Sequence, residues 1–225
     1  MAVRKPSRPQ PLPPRDPRGG RPSLELAARL GEHILEVALR QFITEGAEGA
    51  SMDRIAAAAN VSKRTLYTRY GSKKALLVAA TEHGTARHLK PIRSAIPHGT
   101  PREQVLHVAR KLLDLSLSEE LIGIQTLVDW IAKQGLETNR PRPSIGATAG
   151  VSVILPILRQ AASNLDSRDD DLPFIAGFVF DALVGAPRTR ILWRRDLANT
   201  AQAKADYLER TMDLVAQAVP LLAGK

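Results

Sequence analysis

The stretch SMDRIAAAANVSKRTLYTRYGSKKALL, residues 51–77, decides the fold of this chain. Within 27 residues it holds two short helical segments, a tight turn between them and the start of a further helix. Its charge is one-sided, because Asp53 is the only acidic residue beside six basic ones: Arg54, Lys63, Arg64, Arg69, Lys73 and Lys74. A helical hairpin with a basic second helix is typical of proteins that lie against nucleic acid. The pattern favours gene regulation over catalysis.

Residue types at the ends of these helices predict where each begins and stops. Ser51 and Ser62 are good N-caps for the second and third helices of the chain, because a serine hydroxyl accepts from the unpaired N–H groups of a first turn. Asn60 marks the turn between them, since asparagine tolerates a left-handed backbone. Ser72 caps a fourth helix that runs from Lys73 toward residue 89, and Pro91 is expected to end or kink it.

The third helix is expected to bury one face and to present the other to DNA. Val61 and Leu66 are the predicted inward residues. The predicted outward residues are Lys63, Arg64, Tyr67 and Thr68. They can meet base edges and backbone in the major groove, and this outward face is expected to set sequence preference. The predicted phosphate ligands have hydroxyl, phenol or ammonium groups, and they are Ser51, Thr65, Tyr67 and Lys73. At the start of the fourth helix, the helix dipole also favours an anion. Arg54 and Arg69 complete the predicted DNA-binding set.

The positive charge of the chain is concentrated in its N-terminal third. The formal net charge is +9, and residues 1–22 and 51–75 each carry six basic residues against one acidic residue. Residues 1–22 also contain seven prolines and few apolar residues, which predicts a disordered basic tail. This tail is either solvated or an arm that adds phosphate or minor-groove contacts.

Several classes of site are disfavoured by composition and spacing. The chain has no cysteine, so a disulfide framework, a zinc ribbon and a thiol nucleophile are excluded, and a cytoplasmic location is expected. No catalytic or phosphate-loop motif is present, and no metal or cofactor is expected. The longest uncharged run, residues 143–158, is too short to span a bilayer, so no membrane partner is expected. The alternative from another class, an all-α enzyme with a basic surface, would need a cleft of converging acid and base groups.

The rest of the chain has helical periodicity throughout. A first helix from residue 24 is expected to end at Gly46 or Gly49. Later helices are predicted over residues 102–117, 120–134, 144–164 with an interruption at Pro156, 172–186, and 199–222. The acidic run 169–171 suits a helix start. The fold is therefore predicted to be all-α with about nine helices, divided into a tail (1–22), a helix-turn-helix domain (23–72) and a larger helical domain (73–225).

Residues 30–78 resemble the N-terminal domain of the TetR/AcrR family of bacterial transcriptional regulators. The first-helix pattern is present as Ile34-Leu35, Ala38, Phe42 and Gly46. The hairpin pattern is present as Ile55-Ala56-Ala57-Ala58-Ala59-Asn60-Val61-Ser62-Lys63-Arg64-Thr65-Leu66-Tyr67, followed by Tyr70 and Ser72-Lys73-Lys74-Ala75-Leu76-Leu77. Three positions depart from it: Asn60 replaces the usual glycine, Tyr70 the usual phenylalanine and Lys74 a common acid.

The resemblance implies a homodimeric repressor that a small, largely apolar ligand releases from double-stranded operator DNA. The expected dimer interface comes from the last two long helices and comprises Phe174, Phe178, Val179, Ala182, Leu183, Leu208, Met212, Val215 and Val219. The expected ligand pocket is lined by His107, Gln125, Thr126, Trp130, Ile154, Phe174 and Phe178. An alternative within the same fold has no small-molecule inducer and is controlled by a protein partner or by abundance.

Overall fold

The computed structural model describes residues 24–135, 147–163 and 171–223. The predicted tail, residues 1–22, and most of the acidic run 169–171 lie outside the described residues. The described parts of the chain form nine α-helices and no strand, so the predicted all-α fold is confirmed. The chain divides into two compact units, Met1–His83 and Gly84–Lys225. The division falls inside the fourth helix, whereas the predicted domain boundary lies at its start.

The first unit packs three helices and the start of a fourth around one apolar core. Its helices are α1 (Leu24–Gly49), α2 (Met52–Ala58), α3 (Lys63–Tyr70) and the first part of α4 (Lys73–Ser94). Helix α1 is kinked at Gly46, whose φ of 76° lies in the region that favours glycine. Residues from every one of these helices are fully buried: Ile34, Phe42, Ile55, Leu66 and Leu76. This core fixes α3 against α1 and α2.

The predicted caps of the hairpin are confirmed by their hydrogen bonds. The Ser51 hydroxyl accepts from the backbone N–H of Asp53 at 3.2 Å and of Arg54 at 3.4 Å. The Ser62 hydroxyl accepts from the N–H of Thr65 at 3.0 Å, and the Ser72 hydroxyl accepts in the same way at the start of α4. Asn60 has a φ of 54°, which is the left-handed turn that its residue type predicts.

The second unit contains the end of α4 and five further helices. These are α5 (Pro101–Ser116), α6 (Glu119–Lys133), α7 (Ala147–Ala162), α8 (Leu172–Arg194) and α9 (Ala201–Ala218). A short 3₁₀ turn, Pro220–Leu222, follows α9. Fully buried residues of α5, α7, α8 and α9 meet in one core, and they include Val105, Leu113, Ile154, Leu183 and Leu208. The unit therefore has its own hydrophobic core.

Two helices continue through prolines at which the sequence predicts a break or a kink. Helix α4 passes Pro91 and ends at Ser94, and α7 passes Pro156 without interruption. Each proline ring removes one backbone hydrogen bond. At Pro156 the flanking side chains of Ile154, Ile157 and Leu158 are buried, and their burial offsets that loss.

Helix α8 is longer than predicted because it contains two wide turns. In the segments Asp181–Gly185 and Arg190–Arg194 the N–H groups bond to the carbonyl five residues back, as in a π-helix. Pro187 lies just after the first wide turn, at the start of the regular segment Ala186–Thr189, where a missing N–H is tolerated. The helix therefore ends at Arg194 rather than at residue 186.

Among the described residues, one helix is long and apolar enough to cross a bilayer by length and composition. This helix is α8, and the mean hydropathy of its most apolar window is 1.2. A core helix passes the same test, and one such helix does not indicate a membrane protein. Only 33% of its most apolar window is buried inside the chain. The part of α8 that its own chain leaves uncovered includes the exposed rings of Phe174 and Phe178.

Candidate nucleic-acid interface and effector cavity

Helix α3 has one buried and one exposed face, as its sequence predicts. Successive residues of an α-helix are rotated by about 100°. Leu66 is fully buried, and Val61, just before the helix, is half-buried. The exposed face carries the four side chains predicted to meet base edges: Lys63, Arg64, Tyr67 and Thr68. Tyr67 is 44% exposed, so its ring and its phenol are accessible on this face.

The ammonium of Lys63 forms an ion pair with Asp53 at the start of α2. Its Nζ lies 2.9 Å from Oδ1 of Asp53, and both side chains are exposed. The hydrogen bond to Asp53 raises the pKa of Lys63, so the group is protonated at neutral pH. Because an exposed ion pair contributes little to stability, a DNA phosphate or a base can replace Asp53 at small cost.

Arg64 and Lys74 carry charge that their own chain does not neutralise. Both side chains are exposed, and neither makes an ion pair or a side-chain hydrogen bond within the part of the chain that the structure describes. Lys74 is the position where the family pattern has a common acid. The hairpin thus presents two uncompensated cations.

Arg54 and Arg69, two further members of the predicted DNA-binding set, are engaged with α1. Arg54 donates to the carbonyl of Gly49 at 2.8 Å and pairs with Glu45 at 2.6 Å. Arg69 donates to the carbonyl of Ala27 at 2.6 Å. A Cβ atom at Gly31 would lie 3.2 Å from the Arg69 guanidinium, so the small residue makes room for it. These two arginines hold the hairpin to α1, and contact with DNA would require these bonds to rearrange.

The predicted phosphate ligands use only some of their hydrogen-bonding groups within their own chain. Lys73 Nζ donates to the carbonyls of Glu48 at 2.8 Å and Ala50 at 3.0 Å, at the end of α1. An ammonium has three donors, so one remains for a phosphate. The Ser51 hydroxyl accepts two N–H groups and keeps its own O–H as a donor. Thr65 Oγ1 lies 2.8 Å from the Ser62 hydroxyl.

The second unit contains a cavity of about 300 Å³ between helices α4 to α8. Its walls are mainly apolar, with the side chains of Leu89, Leu112, Leu115, Leu121, Ile124 and Val184. The polar lining residues are Thr85, Ser116, Gln125, Asp181, Arg188 and Thr189. Gly150 of α7 faces the ring of Phe180 so closely that a Cβ atom there would overlap the ring. A mostly apolar cavity with a few polar groups is the usual form of a small-molecule site.

The cavity and the predicted ligand-binding residues coincide at one position. Of the seven predicted residues, only Gln125 lines the cavity. Ile154 is fully buried in the core, and Phe174 and Phe178 are 79% and 46% exposed. His107, Thr126 and Trp130 lie on α5 and α6 outside the cavity wall. Helical periodicity shows which face of a helix is buried, but it does not show where neighbouring helices leave a gap.

Most residues of the predicted dimer interface are buried within their own chain. Six of its nine residues are already covered by their own chain: Val179, Leu183, Leu208, Met212, Val215 and Val219. A side chain buried within one subunit has no surface left for a second copy. The exposed members are Phe174 and Phe178 on α8, with Ala182 half-buried. Leu214 on α9 is 66% exposed and was absent from the predicted set, because it falls outside the apolar stripe of that helix.

Comparisons with known proteins agree with this geometry. Residues 34–80 match the family model described as bacterial regulatory proteins, tetR family. No curated protein is significantly similar to the chain in sequence.

Solved structures share the fold over most of the chain. A protein from Mesorhizobium loti MAFF303099 assigned to the TetR family of transcriptional regulators is 19% identical, with a TM-score of 0.71 over 85% of this chain and 97% of that one. The flavonoid-responsive regulator FrrA is 20% identical, with a TM-score of 0.66 and the same coverage of both chains. A cysteine mutant of the TetR family regulator CifR, studied with double-strand operator DNA, is 19% identical, with a TM-score of 0.54 over 82% of this chain and 97% of its own. At these identities the likeness shows the fold.

Proposed function

We propose that this chain, a TetR-family transcriptional regulator by its N-terminal domain and its fold, is a homodimeric repressor that a small molecule releases from operator DNA. The observation that carries the proposal is the exposed face of α3. This face combines Lys63 and Arg64 with an exposed Tyr67 ring, and Lys74 adds a further cation at the start of α4. Cations and hydrogen-bonding side chains on one exposed helix suit the phosphates and base edges of a major groove.

A selection of DNA fragments from the source genome tests the DNA-binding part. The full-length protein should enrich fragments that share a palindromic motif, because two copies of α3 related by a twofold axis read two similar half-sites. The half-sites should lie about one helical turn, ~34 Å, or a multiple of it apart. Enrichment of unrelated fragments, with affinity that depends on salt alone, would reduce the protein to a non-specific DNA binder.

The apolar surface of α8 supports the homodimer. Phe174 and Phe178 lie one turn apart on this helix and are both exposed, and the exposed Leu214 of α9 is a further large apolar side chain. Large aromatic side chains left uncovered by their own chain are typical of interface anchors. Dimerisation would cover them and supply the second hairpin that a palindromic operator requires.

The cavity and helix α4 support release by a ligand. Helix α4 begins with Lys73, which is bonded to the end of α1, and it continues into the second unit, where Thr85 and Leu89 line the cavity. A ligand that favours a different position of α4 would also change the position of the hairpin at its other end. Such a ligand weakens DNA binding only if it binds the DNA-incompetent state more tightly. The name of the flavonoid-responsive regulator FrrA indicates a small-molecule response in a protein of this fold.

The second candidate is the same DNA-binding fold without an inducer. A fully packed second unit would favour it, and the cavity of about 300 Å³ instead favours the ligand-responsive form. The two candidates differ in one measurable quantity, which is the effect of a bound ligand on operator affinity.

A further inference from the structure

The cavity of the second unit has two charged side chains among its mainly apolar lining. Arg188 and Asp181, both on α8, line it, and they are seven residues apart. At about 1.5 Å of rise per residue, their backbone positions are separated by about 10 Å along the helix. Leu112, Leu115, Ile124 and Val184 are among the side chains that line it as well. The cavity thus combines an apolar lining with two opposite charges about two helical turns apart on α8.

Arg188 is a cation whose charge is only partly compensated. Its Nε donates to the carbonyl of Ser116 at 3.2 Å, and its guanidinium stacks 4.9 Å from the ring centre of Trp193. Within the described residues it forms no ion pair with a carboxylate. Burial lowers the pKa of Arg188, and the field of Asp129 raises it to a smaller extent. Asp129 itself accepts a hydrogen bond from Gln125 at 2.8 Å.

The guanidinium therefore has unused capacity that points to a particular chemistry. An arginine has five N–H donors, and Nε and the stacked face account for only part of them. A guanidinium stays protonated, and a planar acid group can accept two parallel hydrogen bonds from it. Partial burial makes such a pair stronger than it would be in water. The Asp181 carboxylate, about two turns earlier on α8, can only accept a hydrogen bond when it is ionised.

We infer that the cavity takes a small, largely apolar molecule with an acid group bound by Arg188 and a hydrogen-bond donor, a hydroxyl or an amine, bound by Asp181. This inference rests on the proposed function, because it names the chemical class of the effector. It also modifies the sequence-based expectation of an apolar ligand, since the two charged lining residues do not suit a pure hydrocarbon. A molecule without the acid leaves the Arg188 charge uncompensated in a partly desolvated site.

The test uses three probes that differ by one group each. Para-hydroxycinnamate has a carboxylate and a phenol at opposite ends of a flat apolar body. Its primary amide lacks the charge, and cinnamate lacks the phenol. Calorimetric titration of the full-length protein should show para-hydroxycinnamate binding at least about ten-fold more tightly than the amide, because a hydrogen-bonded charge pair contributes that much. It should also bind several-fold more tightly than cinnamate.

Variants of the two charged groups assign the preferences. Arg188→Met should bring the acid-to-amide ratio close to one, and Arg188→Lys should keep part of it, because the charge remains and the planar donor pair is lost. Arg110→Met, which removes an exposed arginine of α5 outside the cavity lining, should leave the ratio unchanged. Asp181→Asn should weaken the preference for the phenol, because a neutral amide oxygen is a weaker acceptor than a carboxylate, and should keep the preference for the acid. If thermal unfolding shows that Arg188→Met is unstable, the acid-to-amide affinity ratios of Arg188→Lys and the wild type are compared instead. A ratio as high in Arg188→Lys as in the wild type would contradict the role of the planar donor pair.

Equal affinities for the acid and the amide, an acid preference that survives in Arg188→Met, or no binding of any probe would each overturn the inference. Operator binding of the same preparations is measured in parallel. If the wild-type protein binds its operator but shows no preference for the acid, only the ligand class fails. If it binds no specific DNA, the proposed function fails independently of the probes.

Discussion

Asn60 places one residue of the hairpin turn in a left-handed conformation, with a φ of 54°. For a residue with a Cβ atom other than Asn or Asp this conformation costs about 1–2 kcal/mol. We therefore expect Asn60→Ala to lower the free energy of unfolding by about that amount, and Asn60→Gly to leave it unchanged or raise it slightly. Urea unfolding of both variants measures the difference. Equal stabilities of the alanine and glycine variants would mean that the turn relaxes to another backbone conformation.

On the exposed face of α3 and at the start of α4 we expect different residues to read the DNA sequence and to hold phosphate. Arg64→Ala should change the preference among operator variants by about 1–3 kcal/mol if the guanidinium pairs with a base. Lys74→Ala should instead weaken binding to all operator variants alike and reduce the salt slope by about one. Tyr67→Ala should also weaken binding to all variants, because its phenol is a predicted phosphate ligand.

Binding curves on matched and mismatched operators, each at several salt concentrations, separate these effects. Arg210→Ala is the matched control, because Arg210 is exposed on α9 in the second unit and lies outside the hairpin. Unchanged affinity and unchanged preference in all three hairpin variants would remove this face of α3 from DNA recognition. Lys73→Ala is less informative, since Lys73 also holds two carbonyls at the end of α1.

At the scale of the helix, α8 presents an aromatic surface that a second copy would cover. Phe178→Glu places a charge on this surface and should convert the dimer to a monomer, because burying an unpaired carboxylate is costly. Light scattering after gel filtration should show the molar mass fall by half. Affinity for a palindromic operator should drop much more than affinity for a single half-site.

The matched control for this variant is Arg195→Glu, which makes a larger change of charge at an exposed position just past the end of α8. It should leave the molar mass unaltered. A Phe178→Glu protein that keeps the mass of the control would place the dimer contact elsewhere on the chain.

The short helices of the first unit follow from local rules, and α8 does not. Ser51, Ser62 and Asn60 act on the N–H groups and the backbone of their immediate neighbours, so their residue types predict α2, the turn and α3. In α8, the sequence predicts a helix that ends at residue 186. The wide turn Asp181–Gly185 instead shifts the register and lets the helix continue to Arg194.

The cavity is harder to predict because it depends on the packing of several helices. Arg188 lies beyond the predicted end of the helix, and Phe180 and Asp181 lie at the register shift, so periodicity did not select them. The exposed ring of Phe178 was instead assigned to a buried site, because an aromatic residue in an apolar helix has the same pattern in a core, a pocket and an interface. The sequence predicted the capping residues and the turn of the hairpin one by one. It predicted a pocket only within the larger helical domain.

At the scale of the whole molecule, the proposed repressor links two binding events through the continuous helix α4. If a ligand in the cavity weakens operator binding by some factor, the operator must weaken ligand binding by the same factor. Calorimetric titration of the first probe that binds, with and without saturating operator duplex, measures both. We expect a weaker ligand affinity in the presence of the operator, by about 5- to 150-fold for a typical coupling.

A scrambled duplex of equal length is the control, because it carries the same charge without the operator sequence. Equal ligand affinities with operator, scrambled duplex and no DNA would contradict release by this route. The inducer-free candidate would then be the better description of the protein.

Gly150 determines how closely the ring of Phe180 can approach helix α7 beside the cavity. Its missing side chain leaves room for the ring of Phe180, which lines the cavity, so every larger residue at position 150 forces that ring to move. Alanine or serine at this one site therefore resets the volume offered to a ligand while every residue of α3 stays as it is. A series of such substitutions should shift the dose–response midpoint of a reporter gene and leave its fully repressed level constant. Under the proposed function, a substitution at position 150 is therefore expected to change which inducers fit the cavity and to leave the DNA-contacting residues unchanged.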